Sequence, residues 1–139
     1  SMDYGPNLLI GPDKILATIP GELKHFWLLG VVDGDGCWYF NEKDKKGAFH
    51  ISGPYAQDWS AFVELFSTIN VKPTIRKRKN ECRSNSTINT TDRRSIENLG
   101  NYIYQSKDLY PEIGLPRKYD KWLQIIHNRK IKQKVRKVF

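Results

Sequence analysis

The chain has 139 residues, which suits one domain with a sizeable core, and no apolar run is long enough to span a bilayer. A formal net charge of +8 and a pI near 9.5 predict a polyanionic partner, most commonly nucleic acid; a basic protein without such a partner is the alternative. The two cysteines, Cys37 and Cys82, fit neither a zinc site nor a disulfide framework, so we expect both to be reduced. We recognise no signal peptide and expect an intracellular protein.

An N-terminal arm, residues 1–21, precedes the first long helix. Gly5-Pro6 and Gly11-Pro12 break regular structure, so we expect this arm to be irregular apart from one short helical piece. The segment Pro20-Gly21-Glu22 then opens the helix, because a proline and an acidic residue are favourable at a helix start.

The helix that follows carries an unusual pattern. Every residue from Phe26 to Val32 is apolar or glycine, so we expect this helix to be buried on every side. It runs into Asp-Gly-Asp-Gly at positions 33–36, which places two carboxylates and two helix-ending glycines at its C-terminal end. That end carries the negative pole of the helix dipole, so acids there are unfavourable unless a cation compensates them. The pattern indicates a buried helix that delivers an acidic residue to a metal ion.

Two other interpretations of the acidic segment are possible. A plain turn after a core helix remains open. A calcium loop of the EF-hand type is excluded, because such a loop needs glycine at position 6 and glutamate at position 12, where this chain has Trp38 and Asp44.

The middle of the chain predicts two β-hairpins separated by a helix. Residues 37–42 and 48–52 alternate inward apolar and outward polar side chains around a polar turn at 43–47, and Gly53-Pro54 ends the second strand. Apolar residues recur at helical spacing from 57 to 70, which predicts a helix packed on the core. The second hairpin comprises strands at 74–79 and 86–91 around a polar loop at 80–85.

Two further helices complete the chain. Asp92 is the expected N-cap of a helix through Tyr104, because its carboxylate can accept hydrogen bonds from the free amides of the first turn. A connector rich in proline and glycine leads to a last helix from Arg117 to about Lys134. The predicted order is therefore helix, hairpin, helix, hairpin, helix, helix.

The string LLGVVDGDG, residues 28–36, resembles the motif that names the LAGLIDADG homing endonucleases. It matches the glycine, both acids and the terminal glycine of that motif, with Leu29 in place of a small residue. The predicted element order is similar to the αββαββα core of that family over residues 22–131, followed by a basic tail at 132–139. The resemblance implies an α+β fold, in which a saddle-shaped antiparallel sheet carries helices on one face.

The resemblance also implies a homodimer, because family members with one motif copy pair their motif helices. The dimer interface would lie at Trp27, Gly30, Val31 and Gly34. Asp35 would bind the catalytic metal together with Gly34, whereas Asp33 would be the structural acid at the helix end. The metal would be Mg²⁺ or Mn²⁺, with Ca²⁺ as a non-catalytic substitute.

A late segment and one missing residue bear on catalysis. Residues 102–122 resemble a late signature of phage and bacterial family members, and Lys118 in that signature would stabilise charge on the scissile phosphate. Arg117 is the fallback, and plain surface charge at a helix start is the alternative. The polar residue that many relatives place at the end of the second strand to hold a water has no clear equivalent. Gly53 occupies that region, and Ser52 and Gln57 are the possible substitutes.

The outward face of the predicted sheet carries hydrogen-bonding and basic side chains, which we call the reading surface. Its members are Tyr39, Asn41, Lys43, His50, Ser52, Arg76, Arg78, Thr87 and Asn89. Such side chains suit the reading of base edges in the major groove, which admits a two-stranded ribbon. A solvated sheet face is the alternative, but the face has no acids and includes the basic run at 76–79. The resemblance implies that this face lies on DNA, and the basic tail would add phosphate contacts.

Together with the resemblance, these features predict a homodimeric, Mg²⁺-dependent endonuclease that acts on a long, nearly palindromic DNA site. The resemblance implies that it cuts both strands and leaves 3′ overhangs. Two other functions stay open for the same fold: a catalytically weak DNA-binding regulator, and a maturase that binds intron RNA. The intact Asp33 and Asp35 favour the nuclease. The missing water-holding residue favours the regulator.

Overall fold

The chain folds into five helices around one β-sheet in the part that a computed structural model describes, which is residues 12–138, with side chains from 14 to 127. The helices are α1 (Pro12–Thr18), α2 (Lys24–Asp35), α3 (Ser60–Thr68), α4 (Arg93–Ile103) and α5 (Pro116–Val138), and a 3₁₀ turn, Gly21–Leu23, leads into α2. The strands are β1 (Gly36–Asn41), β2 (Lys46–Pro54), β3 (Thr74–Lys79) and β4 (Ser84–Thr90). Most of the predicted arm (1–11) and the side chains of the basic tail lie outside the described residues.

The four strands form one antiparallel sheet in the order β1-β2-β4-β3. Helix α5 packs against β1 and β2, α4 packs against β2 and α2, and α1 packs against α3. The predicted α+β class, with two hairpins in one antiparallel sheet, is confirmed. Among the helices of residues 12–138, none combines the length and the apolar composition that a bilayer crossing requires.

The core lies between the inward face of the sheet and the helices. The alternation of the strands places Phe49, Ile51 and Ile88 inward, and each is at most 1% exposed. Helices α2 and α3 cover them with apolar side chains that include Leu28 and Phe62, both fully buried. Apolar side chains that recur every two residues in the strands thus pack against apolar side chains that recur about every 3.6 residues in the helices, and together they form one apolar layer.

Helix α4 approaches α5 closely at one glycine. A Cβ atom at Gly100 would overlap the indole ring of Trp122. That ring is 4% exposed, and its Nε1 donates a hydrogen bond of 2.9 Å to the carbonyl of Ile96. The ring therefore has little freedom to move away.

We expect Gly100→Ala to lower the free energy of unfolding, because an added methyl group forces the buried indole off its site. Overpacking of this kind costs about 1–3 kcal/mol, which exceeds the gain of roughly 1 kcal/mol that alanine brings to a helix. Urea unfolding of both proteins measures the difference. Gly21→Ala is a matched control, because a Cβ there has nothing within 4 Å among the described residues. A Gly100→Ala protein as stable as wild type would contradict this packing.

Several predicted boundaries are wrong, and local hydrogen bonds explain two of the three that bear on the site. Strand β2 continues to Pro54, which pairs with Asn85, instead of ending at Ser52. Helix α3 begins at Ser60 instead of Gln57, because the Gln57 amide donates to the Pro54 carbonyl at 3.0 Å in a turn. Strand β4 begins at Ser84, two residues earlier than predicted.

Candidate metal centre and nucleic-acid interface

The candidate metal ligand stands where the motif helix meets the sheet. Asp35 is the last residue of α2 and is exposed, and β1 begins at the next residue, Gly36. A Cβ at Gly36 would lie 2.9 Å from the Cα and O atoms of Val32 and 3.2 Å from a ring carbon of Phe49. Glycine is thus required there, because only a residue without a side chain lets the helix pass directly into the strand. Asp35 is thereby held at the edge of the sheet.

Lys118, from the first turns of α5, lies on the C-terminal end of α2. Its Nζ donates hydrogen bonds to the carbonyl oxygens of Val32 at 2.7 Å, Asp33 at 2.7 Å and Gly36 at 2.8 Å. An ammonium group has three hydrogens, so these carbonyls use all of them. A cation here stabilises the negative end of the helix dipole. Lys118 is therefore a cation of the kind that the acidic helix end was predicted to need.

Asp33 makes the reverse contact, because it reaches from the end of α2 to the start of α5. Its Oδ2 accepts a hydrogen bond of 3.2 Å from the amide of Leu115, the residue before α5 begins. An anion is favourable at a helix N-terminus. Its Oδ1 is buried and has no hydrogen-bond partner among the described residues. Burial raises the pKa of the nearby Tyr104 to about 12, and the Asp33 carboxylate adds to that rise. This geometry agrees with a structural role for Asp33.

One chain supplies only part of a metal site. Within the described residues, no group of three or more His, Cys, Asp or Glu side chains could hold a metal ion. Mg²⁺ is commonly held by one or two carboxylates together with phosphates and waters. The exposed carboxylate of Asp35 fits such a set, provided that further oxygen ligands come from outside the chain.

Of the two substitutes for the water-holding residue, one faces outward. Ser52 is exposed on the outward face of β2. Gln57 is 6% exposed and donates from Nε2 to the carbonyl of Asp58 at 2.9 Å. Only Ser52 is therefore exposed enough to hold a water on the outer side of the sheet.

The reading surface forms rows across the sheet, since its members share one face of neighbouring strands. Strand register aligns Ser52 with Thr87 and Thr87 with Arg76, and it places His50 beside Asn89. A groove of about 520 Å³ opens on this face and is lined by His50, Arg76, Lys77, Arg78, Asn85, Thr87 and Asn89. Tyr39, on β1, is 54% exposed. Lys43 is different, because it lies in the turn between β1 and β2 instead of on a strand.

Three residues on this face were not among the predicted members of the reading surface, although the pattern had placed Thr74 on the same side of its strand as Arg76. Cys37 is exposed and pairs with His50, and Thr74 pairs with Asn89. Asn85 pairs with Arg78, although the sequence pattern assigned it to a loop. The alternation of β1 and β3 was signal enough for Cys37 and Thr74. Asn85 could be assigned to this face only once the observed start of β4 was known.

Edge strand β3 is basic on both faces. Arg76 and Arg78 point outward, whereas Lys77 and Lys79 lie on the other face, with their ammonium groups 5.3 and 5.6 Å from the ring centre of Tyr55. All four side chains are exposed. The strand thus offers two pairs of cations that differ chiefly in the direction they face.

The expectation that the motif helix is buried on every side is wrong for the single chain. Its inner side, with Leu28, Leu29 and Val32, is buried. An open stripe runs along the other side, where Gly30 and Gly34 are exposed and Trp27 and Val31 are half-buried. A Cβ at either glycine would have nothing within 4 Å among the described residues. The predicted interface residues therefore form one apolar stripe that the described part of the chain leaves uncovered.

Comparison with known proteins gives matches to solved structures alone. Neither a family model nor a curated protein sequence matches the chain. The homing endonuclease I-CvuI, in complex with the I-CreI target and 2 mM Mg, matches at a TM-score of 0.52 and 18% identity over 76% of this chain and 65% of that chain. The archaeal intron-encoded homing endonuclease I-Vdi141I, complexed with DNA, matches at 0.50 and 10% identity over 76% and 66%.

A third match is the LAGLIDADG homing endonuclease I-LtrWI bound to target DNA, at a TM-score of 0.53 and 21% identity over 82% of this chain and 39% of that chain. The chain spans less than two thirds of the length of these matched chains. At such identities the likeness shows the fold.

Proposed function

We propose that this chain, which has the fold of the LAGLIDADG homing endonucleases, is a site-specific endonuclease that cuts double-stranded DNA as a homodimer with a divalent metal. The observation that carries the proposal is the position of Asp35. This exposed carboxylate stands at the end of the helix that bears the uncovered apolar stripe and at the start of the strand that bears Tyr39 of the reading surface. A metal centre, a dimer contact and a DNA contact would therefore meet at one place.

The homodimer follows from what a single chain lacks. One copy presents one exposed carboxylate, Asp35, at the helix end, and its stripe of Trp27, Gly30, Val31 and Gly34 is not covered by the described residues. Glycines one turn apart let two helices approach closely, because no side chain separates their backbones. Pairing two stripes would bury this apolar surface and bring two Asp35 side chains together. A symmetric dimer would also read a nearly palindromic site.

The metal would be held by the Asp35 carboxylates, the Gly34 carbonyl oxygen and phosphate oxygens of the DNA. Carboxylate, carbonyl and phosphate oxygens are the ligands that hard divalent cations prefer. When bound, Mg²⁺ or Mn²⁺ would polarise the scissile phosphate and lower the pKa of a water ligand. Ca²⁺ would support binding without cutting. Of the matched I-CvuI structures, one in the presence of 2 mM Mg reveals DNA that is not cleaved, and another was determined in the presence of 2 mM Ca.

The reading surface would give the enzyme its choice of site. Arg76 and Arg78 alternate on the outward face of β3 and line the groove beside Thr87 and Asn89. Arginine is well suited to paired hydrogen bonds with guanine, each worth about 1–3 kcal/mol of discrimination between bases. Lys77 and Lys79 carry the same charge with their ammonium groups over the ring of Tyr55, and of these two only Lys77 also lines the groove.

We expect Arg76→Ala or Arg78→Ala to weaken binding to a matched duplex and to relax base preference at one or two positions of each half-site. The loss follows from a base contact and is on the order of 1–3 kcal/mol. Lys79→Ala removes charge from the same strand without removing a residue that lines the groove, so it should weaken binding to all duplexes alike and flatten the salt dependence. Affinities for a matched and a mismatched duplex at several salt concentrations measure both effects. Equal losses on both duplexes for the arginine variants would show that these side chains contact only phosphates.

A DNA-binding regulator with the same fold is the second candidate. It is favoured by the end of β2, where Gly53 offers no side chain to hold a water and Ser52 is the only outward substitute of the two considered. A maturase that binds intron RNA would use the same basic face. All three functions predict binding of nucleic acid, and they differ in the partner and in cleavage.

Incubation with a randomised duplex library tests the proposal. Bound and cut molecules are sequenced after incubation with Mg²⁺, and with EDTA as the control. We expect enrichment of a nearly palindromic sequence and cleavage of it in Mg²⁺ alone. Enrichment without cutting would support the regulator. Failure to enrich any duplex, together with binding of structured RNA, would support the maturase.

A further inference from the structure

We propose that Lys118 is a positioning residue that locks the end of α2 and so sets the direction of Asp35, and that it does not contact the scissile phosphate. The inference rests on the proposed function, because it concerns the metal ligand of that reaction. It departs from the expectation that Lys118 stabilises charge on the phosphate.

The ammonium group of Lys118 already uses its three hydrogens in bonds to the backbone. Lys118 Nζ lies 2.7–2.8 Å from three backbone carbonyl oxygens, those of Val32, Asp33 and Gly36. The contacts are short and the group is partly buried. To donate a hydrogen bond to a phosphate, Nζ would have to give up one of these carbonyls. The carbonyl would then be left beside two carboxylates at the negative end of a helix.

The three carbonyls lie on both sides of Asp35 along the chain. Val32 and Asp33 belong to the last turn of α2, and Gly36 is the first residue of β1. The ammonium group therefore bridges the helix and the strand on both sides of Asp35. The Val32 carbonyl also accepts the amide of Gly36, so the turn that carries Asp35 is closed by backbone and side chain together.

Asp33 makes a reciprocal contact with the start of α5. Its carboxylate accepts the Leu115 amide at the start of α5, while Lys118 from α5 donates to the end of α2. Each helix end thus receives the charge that its dipole favours. These contacts join residues 82 to 86 positions apart. A clamp of this kind fixes the backbone of residue 35 without touching its side chain.

The clamp predicts how loss of Lys118 would appear in kinetics. Residues that orient a metal ligand typically change metal affinity by about 10–100-fold when they are removed. We therefore expect Lys118→Met to raise the Mg²⁺ concentration for half-maximal cleavage by at least about tenfold, while the rate at saturating Mg²⁺ stays close to that of wild type. A direct phosphate contact would instead lower the saturating rate and leave the Mg²⁺ requirement unchanged.

The experiment compares Lys118→Met, Lys118→Arg and Arg117→Met with wild type on the duplex selected from the library. Arg117, the fallback for a phosphate contact, is exposed on the same helical turn. Its variant therefore tests that fallback and removes a neighbouring charge without opening the clamp. Amide hydrogen exchange of residues 33–37 in the free protein gives a second measurement. We expect faster exchange in Lys118→Met, partial recovery in Lys118→Arg and no change in Arg117→Met.

Two results would overturn the inference: a loss of saturating rate with an unchanged Mg²⁺ requirement, or unchanged exchange at residues 33–37 in Lys118→Met. If Lys118→Met does not fold, the same comparisons are made on Lys118→Arg and Asp33→Asn, which weaken the clamp from either side. If wild type cuts no duplex, the proposed function fails, and the exchange comparison still decides whether the clamp exists.

Discussion

Asp35→Asn is expected to abolish cleavage and to leave DNA binding intact. The substitution keeps the size of the side chain and removes the negative charge that a divalent cation needs. Without the metal, the phosphate is no longer polarised, and a loss of at least about a thousandfold in rate corresponds to about 4 kcal/mol of transition-state stabilisation. Because Asp35 is exposed, the melting temperature should stay close to that of wild type. Cleavage assays and binding titrations on one duplex measure the two effects.

Asp33→Asn is the matched control for this result. Asp33 accepts the Leu115 amide and is half-buried, so its variant should chiefly lower stability, by roughly 0.5–2 kcal/mol as at other capped helix ends. The two acids are two positions apart in the sequence, yet substitution of Asp35 should impair catalysis, whereas substitution of Asp33 should impair stability. Undiminished cleavage by the Asp35→Asn protein would end the assignment of Asp35 as the metal ligand.

Gly30→Leu is expected to abolish dimerisation without unfolding the chain. Gly30 is exposed, and a Cβ there meets nothing within 4 Å among the described residues. We therefore expect the single chain to accept a leucine, which improves helix propensity by up to about 1 kcal/mol. In a dimer it would hold the two backbones apart. We expect association to weaken by at least about 100-fold, or roughly 3 kcal/mol, and cleavage to fall with it.

Light scattering of the protein with and without DNA measures the mass in each case. Gly21→Leu is a suitable control, because position 21 is equally open but precedes the stripe. Wild-type protein that stays monomeric at high concentration with DNA present would contradict the paired-helix arrangement. So would a Gly30→Leu protein that remains dimeric.

The sequence was sufficient for features that depend on neighbouring residues. Alternation in β3 predicted its bounds, Thr74–Lys79, and the outward direction of Arg76. The predicted N-cap is confirmed, because Asp92 Oδ2 accepts the amide of Ser95 at 3.0 Å. Each of these features follows from a local pattern, either the two-residue period of a strand or the free amides of a first helical turn.

Features that depend on distant residues could not be predicted. The apolar run of α2 indicated burial on all sides, but periodicity does not distinguish a face covered by the same chain from one left for a partner. Lys118 was identified through resemblance alone, since nothing local indicates that its ammonium group lies on carbonyls 82 to 86 positions away. The start of α3 was missed because Gln57 enters a turn instead of a helix.

The most direct test of the account is to map the cuts on both strands of the selected duplex with wild-type protein in Mg²⁺. Two chains that each contribute Asp35 should cut the two strands at positions symmetric about the centre of the site, leaving 3′ overhangs of equal length. The Asp35→Asn protein should leave the duplex intact under the same conditions. Full occupancy of the duplex by wild-type protein with neither strand cut would contradict the account, and so would nicking of one strand by a protein that light scattering shows to be a monomer.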